Sequence, residues 1–169
     1  MAQKFLRMLA GVIAELEALV TSAGAGDAGK IVGLDATGKL DQSLMPVGMG
    51  ADTKLLPASE NLSAGNKVNI WNDSGTAKVR KADATVAGKE ANGFVLAAVT
   101  LGNNATVYFD GTNTQLSGLT PGAVYYLDTT AGGITETPPS GSGNIVQRVG
   151  RALSATELTF ESGEPVTLA

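Results

Sequence analysis

The chain has 169 residues, with 12 Lys and Arg against 16 Asp and Glu, a formal net charge of −4, and neither cysteine nor histidine. The missing residue types exclude disulfide frameworks, thiolate metal sites, cysteine nucleophiles and the commonest general base near neutral pH. The acidic balance argues against a free nucleic-acid binder, which needs a basic surface for phosphates. Glycine is high, at 22 residues, and only 17% of residues are charged, whereas average domains carry about 7% Gly and about 25% charge. That combination suits a turn-rich β-protein that keeps part of its surface against other protein.

In the first segment, residues 1–22, Phe5, Leu9, Val12, Leu16 and Leu19 are spaced four, three, four and three apart. This is the a/d rhythm of a coiled-coil seam, and it predicts an N-terminal α-helix that ends at the small residues from Thr21 onward. Leu6, Ile13 and Val20 widen the apolar stripe, so the helix is expected to pack on its own core or on sister copies. Lys4 and Arg7 ahead of an apolar stretch resemble a leader peptide, but Glu15 and Glu17 interrupt the apolar run. No stretch is long and apolar enough for a transmembrane helix.

Residues 23–60 hold neither a strand nor a helix period. Ile31, Leu34, Leu40, Leu44 and Met45 are scattered among Gly, Asp and Pro, with a turn expected at Asp35–Gly38. So much apolar content is unlike a disordered linker and predicts an extended arm that lies along another surface. From residue 61 the pattern is β throughout. Segments 67–71, 77–81, 93–101, 105–111, 123–128, 134–137, 145–153 and 157–161 read as strands, with turn signals between them and a last short strand after Gly163. The run 93–101 reads as a buried central strand. The expected fold is therefore mainly β: an N-terminal α-helix over 1–22, an extended arm over 23–60, and a compact antiparallel β-barrel or β-sandwich over 61–169.

Few residues offer chemistry. Gly24–Lys30 matches the spacing of a phosphate-binding loop, but Ile31 stands where the Mg²⁺-holding hydroxyl belongs, and neither a preceding strand nor a following helix is expected. Ser140 and Ser142 lack the glycine frame of a nucleophile elbow and any histidine to activate them. Asp35, Asp41, Asp73 and Asp83 sit in turn-like sequence, where aspartate serves local hydrogen bonding. No calcium-loop pattern occurs. No catalytic residue, cofactor or metal is expected. Lys78, Arg80 and Lys81 form a small basic cluster that reads as a solvated strand face. Trp71, Tyr125 and Tyr126 are strand aromatics; of the adjacent tyrosines one must face in and the other out.

Several stretches resemble one class of proteins. GLDATGKLDQSLMP (33–46) resembles a segment that recurs in structural proteins of tailed bacteriophages. Residues 65–111 and 119–160 resemble small β-barrel modules of phage virion proteins; the second carries a PG-x-x-YYLD strand, a glycine turn, a Pro-Pro loop and a GNIVQ-x-VG-x-AL strand. Such modules occur in capsid decoration (cement) proteins, head fibres and tail fibres, commonly as homotrimers, with no catalytic residues to carry over. The resemblance implies a virion protein made in the host bacterial cytoplasm. The short chain suits a decoration protein on the capsid surface. Phe5, Leu9, Val12, Leu16 and Leu19 would then pack about a threefold axis. Ile31, Leu34, Leu40, Leu44 and Met45 would lie on the major capsid protein, and neither nucleic acid nor membrane would be a partner. The alternative is a short head or tail fibre that binds a host glycan through Trp71, Tyr125 and Tyr126. A polysaccharide depolymerase would need a longer chain with clustered carboxylates.

Overall fold

The computed structural model describes residues 4–45 and 51–169. The chain divides into two units, Met1–Gly50 and Ala51–Ala169.

The first unit opens with a β-hairpin, not a helix. Strand β1 (Lys4–Leu9) pairs antiparallel with β2 (Val12–Glu17), in register from Lys4 opposite Glu17 to Leu9 opposite Val12. The two-residue turn is Ala10-Gly11, with φ of 48° and 84°. Both values lie in the left-handed region, as a type I′ turn requires, and its twist matches that of the flanking strands. Gly11 enters that region at no steric cost. The four–three spacing misleads for a geometric reason. Positions 5 and 9 share one face of β1, positions 12 and 16 share one face of β2, and the turn sets 9 opposite 12. A heptad stripe and one hairpin face thus select the same residues.

Beyond the hairpin, among the described residues of this unit, only two single 3₁₀ turns are helical, at Ala25–Asp27 and Gln42–Leu44. Leu19 forms a parallel bridge with Val32: its N–H donates to the Ile31 carbonyl at 2.9 Å, and its carbonyl accepts from Gly33 N–H at 2.9 Å. The Ser22 N–H donates to Ser43 Oγ at 2.8 Å. The expected arm is therefore not extended over 23–45; its ends meet.

The second unit carries two five-stranded antiparallel sheets and a two-stranded one. Its strands are β3 (Thr53–Pro57), β4 (Lys67–Asp73), β5 (Thr76–Lys81), β6 (Gly93–Phe94), β7 (Asn104–Tyr108), β8 (Thr112–Asn113), β9 (Val124–Leu127), β10 (Ile134–Thr135), β11 (Ile145–Val146), β12 (Arg148–Ala152), β13 (Leu158–Phe160) and β14 (Val166–Thr167). One sheet has the order β3-β7-β6-β4-β5, the other β10-β9-β12-β13-β8, and β11 pairs with β14. Residues 51–57 thus belong to this unit, where β3 is an edge strand along β7. Just past β3, Ala58 bridges Val79 of β5, which brings the edges of the first sheet together at one point without a continuous ladder. The described strands form no closed barrel.

Apolar side chains gather in two clusters. Leu56, Leu62, Val68, Val79, Val95 and Val107 pack against the first sheet. The second cluster joins Phe94 of that sheet to Tyr125, Leu127, Val149, Leu158 and Phe160 of the other. The Phe94 ring stacks on Tyr108 with centroids 5.4 Å apart and tilts against Phe160 at 5.6 Å. The run 93–101 is a strand only at Gly93–Phe94; Leu101 at its end is 64% exposed. An apolar run alone does not distinguish strand from buried loop, and here the chain leaves the sheet after Phe94.

Candidate interaction surface

The hairpin register sorts its side chains by face. Phe5, Arg7, Ala14 and Leu16 lie on one face, with positions 9 and 12 beside the turn; Lys4, Leu6, Met8, Ile13, Glu15 and Glu17 lie on the other. The Leu9 side chain is outside the described residues. The first face is half-covered by its own unit. Phe5 and Leu16 line a groove of about 470 Å³ with Leu19, Val20 and Thr21, and the charged Arg7, Glu17 and Lys30 line it as well. Three of the five residues expected at a trimer interface, Phe5, Leu16 and Leu19, therefore meet in one groove. Val12 stands apart and is exposed.

The opposite face is open. Leu6, Met8 and Ile13 are 73%, 70% and 67% exposed. Among the residues expected to touch a capsid, Ile31, Leu34, Leu40 and Met45 are exposed and Leu44 is half-buried. Among the described residues, ten of the large exposed hydrophobics lie in 4–45, against five in 51–169, and every buried core hydrophobic belongs to the second unit. Fully covering one such side chain contributes roughly 1.5–3 kcal/mol. Among the described side chains of the first unit no large hydrophobic is fully buried, so this stabilisation is not realised within the unit.

Aspartates shape the loops of this unit. Asp27 accepts from Lys30 Nζ at 2.6 Å and from Ala23 N–H at 2.7 Å. Asp35 Oδ1 accepts from the Thr37 N–H and hydroxyl and from the Lys39 N–H. Asp41 Oδ1 accepts from the Ser43 hydroxyl and N–H. These donors hold all three carboxyls below their ordinary range: chiefly Lys30 for Asp27, the Lys39 N–H for Asp35 and the Ser43 hydroxyl for Asp41. They are turn builders, and a general acid would need the opposite shift. Lys30, at the end of the phosphate-loop-like segment, is held by Asp27 of its own turn.

In the second unit the three aromatics nominated for a receptor surface separate. Tyr125 is the inward tyrosine, 4% exposed; its hydroxyl donates to Glu136 Oε1 at 2.6 Å and accepts from Thr120 N–H at 2.9 Å. Burial first, then Glu136, raises its pKa. Tyr126 is half-exposed on the same strand, and Trp71 is half-buried on β4 of the other sheet. Trp71 Nε1 donates to Ser59 Oγ at 3.1 Å, and the Arg80 guanidinium lies 5.0 Å over its ring. Trp71 also lines a surface groove with Ile70, Asn72, Gly75 and Ala77. The basic cluster is tied down locally. Lys78 pairs with Asp73 at 2.6 Å, while Arg80 donates to Asn69 Oδ1 and to the Gly88 carbonyl.

Strand alternation did not reveal Lys67. It opens β4 fully buried, with Nζ unpartnered and 5.5 Å and 6.0 Å from the Phe94 and Phe160 ring centroids. Among the described residues no cluster of three or more metal-ligating side chains occurs, and no helix is long and apolar enough to cross a membrane. No protein-family model matches the chain, and no curated protein matches it.

Proposed function

We propose that the chain is a non-enzymatic structural protein of a tailed-phage virion: a homotrimeric decoration protein that binds the head shell and reinforces it. The observation that carries this reading is the first unit, whose described residues expose ten large hydrophobics and contribute none to the buried core. The phage-like segments at 33–46, 65–111 and 119–160 supply the class. In this reading Ile31, Leu34, Leu40, Leu44 and Met45 meet the major capsid protein from a loop braced by Asp35 and Asp41. Three such contacts on one trimer bind far more tightly than one, because the second and third are intramolecular. Reinforcement requires no turnover.

The test is direct. The purified chain is expected to have the mass of three copies in light scattering. Added to heads of its phage that lack it, it is expected to appear as threefold-symmetric density on the shell. Leu34→Glu with Leu40→Glu is expected to weaken head binding at least tenfold, since each places a charge in an apolar contact. Full binding by that variant, or a monomer that ignores heads, overturns the reading. The groove beside Trp71 favours a second reading, a fibre that binds glycan. Glycan binding lost on Trp71→Ala, with no affinity for heads, would establish it.

A further inference from the structure

We propose that copies of this chain join head to tail through the open edges of the N-terminal hairpin, with β1 of one copy beside β2 of the next. The threefold closure rests on the trimer proposed above; the edge pairing is carried by the hairpin itself.

Each strand of a two-stranded sheet bonds its partner on one side and presents unpaired N–H and C=O groups on the other. Past β2, residues 31–33 cover the chain only at Leu19, which leaves Val12–Glu17 without a second partner among the described residues. An isolated hairpin is marginal in water, and ring closure is one arrangement that removes its edges.

Charge selects which edges meet. Strand β1 carries Lys4 and Arg7 and no acid; β2 carries Glu15 and Glu17 and no base. A twofold contact between like edges would set two basic strands, or two acidic strands, side by side. A head-to-tail contact sets basic beside acidic at every junction. It repeats between copies the Lys4–Glu17 apposition found within the hairpin, where Lys4 Nζ also lies 3.1 Å from Glu15 Oε1. Heterologous contacts of this kind close into a ring when the rotation between copies is a whole fraction of a turn; with the proposed threefold rotation, three hairpins give six antiparallel strands. The face bearing Leu6, Met8 and Ile13 turns to the axis together with Lys4, Glu15 and Glu17, which share it: Met8 and Ile13 meet at the turn end and the Lys4 and Glu17 charges pair at the open end, while the Phe5–Leu16 face is already half-covered by its own groove.

The experiment exchanges the charges. The variant K4E/R7E/E15K/E17K keeps every cross-strand pair within a hairpin complementary but meets wild type with like charge. Mixed and allowed to exchange subunits, the two are expected to sort into separate homotrimers in native mass spectrometry. In parallel, wild-type trimers assembled from chains of ordinary and heavy nitrogen are treated with a zero-length carbodiimide. Mixed-isotope peptides joining Lys4 to Glu15 or Glu17 are expected. Statistical mixing, or same-isotope peptides alone, in a protein that remains trimeric overturns the edge pairing and leaves the trimer standing. A monomer overturns both. The crosslinking arm uses the native sequence, so it decides the matter even where the variant fails to fold.

Discussion

Lys67 carries the least satisfied polar atom described in the core. Its ammonium has no hydrogen-bond partner, and two aromatic faces at 5.5 Å and 6.0 Å offset only part of its lost hydration. Burial pushes its pKa from the ordinary 10.5 down to about 7. Between those values the unfolded chain holds the proton and the folded chain does not. Stability therefore rises with pH across that window, and the full penalty applies below about 7. Lys67→Met is expected to raise the melting temperature by several degrees at about pH 6 and to flatten the rise toward about pH 9. Thermal melts of both proteins across that range check it; equal slopes would place the ammonium in contact with water. Gly150 is a second sensitive position. Its φ is 150°, it sits at the irregularity where β12 shifts register against β9, and an added Cβ would strike the Thr159 carbonyl backbone and come within 2.9 Å of Leu158 Cδ2. Gly150→Ala is expected to cost about 2 kcal/mol or more in chemical denaturation; a neutral effect would mean that the neighbouring strand yields freely.

The N-terminal hairpin shows how one pattern serves two structures. Residues 5, 9, 12 and 16 satisfy a heptad as well as they satisfy two strands joined by a two-residue turn. Local helix preference favours the first, for Leu, Glu, Ala and Met are good helix formers. The turn at Ala10-Gly11 decides for the second. Ala10 holds the left-handed region at a cost of about 1–2 kcal/mol, a cost that asparagine largely avoids. Ala10→Asn is therefore expected to strengthen the hairpin, seen as slower amide exchange at the cross-strand bonds of β1 and β2. Faster exchange would mean that the turn is not what holds the strands. Ile13→Glu leaves the turn untouched and adds a charge beside Met8 at the apolar end of the open face. On the proposed ring it is expected to reduce the trimer population at least tenfold in sedimentation while the second unit melts as before.

For the whole molecule, burial is divided unequally. Among the described residues, every side chain of the buried hydrophobic core lies in 51–169, and most of the large exposed hydrophobics lie in 4–45. Deleting residues 1–50 is thus expected to leave a cooperatively folding β-unit within a few degrees of the parent melting temperature, and to abolish the proposed self-association and head binding. A deletion variant that fails to fold would show that the first unit supports the second. The sheets of the β-unit are also held by buried polar side chains. Gln147 accepts from the Ala91 N–H at 2.7 Å and donates to its carbonyl at 2.9 Å, standing in for a strand partner.

Much of the β-unit was legible in the residues. Alternating apolar positions separated by Gly, Asn and Pro turns located β4, β5, β7, β9, β12 and β13, because a period of two and a turn residue are local properties. The scarcity of charge and the scattered apolar residues of the first fifty positions were equally local, and the structure leaves most of those large apolar residues exposed. Three things were not legible. Whether residues 4–17 coil or fold back depended on two backbone angles at Ala10 and Gly11. Whether Lys67 and Tyr125 lie inward depended on which sheet packs across from them. The short strand β8 exists only where β13 offers its edge, and β3, which the pattern assigned to the arm, only where β7 does. Period and composition belong to neighbours along the chain, whereas burial and pairing belong to neighbours in space, and only the folded arrangement brings those together.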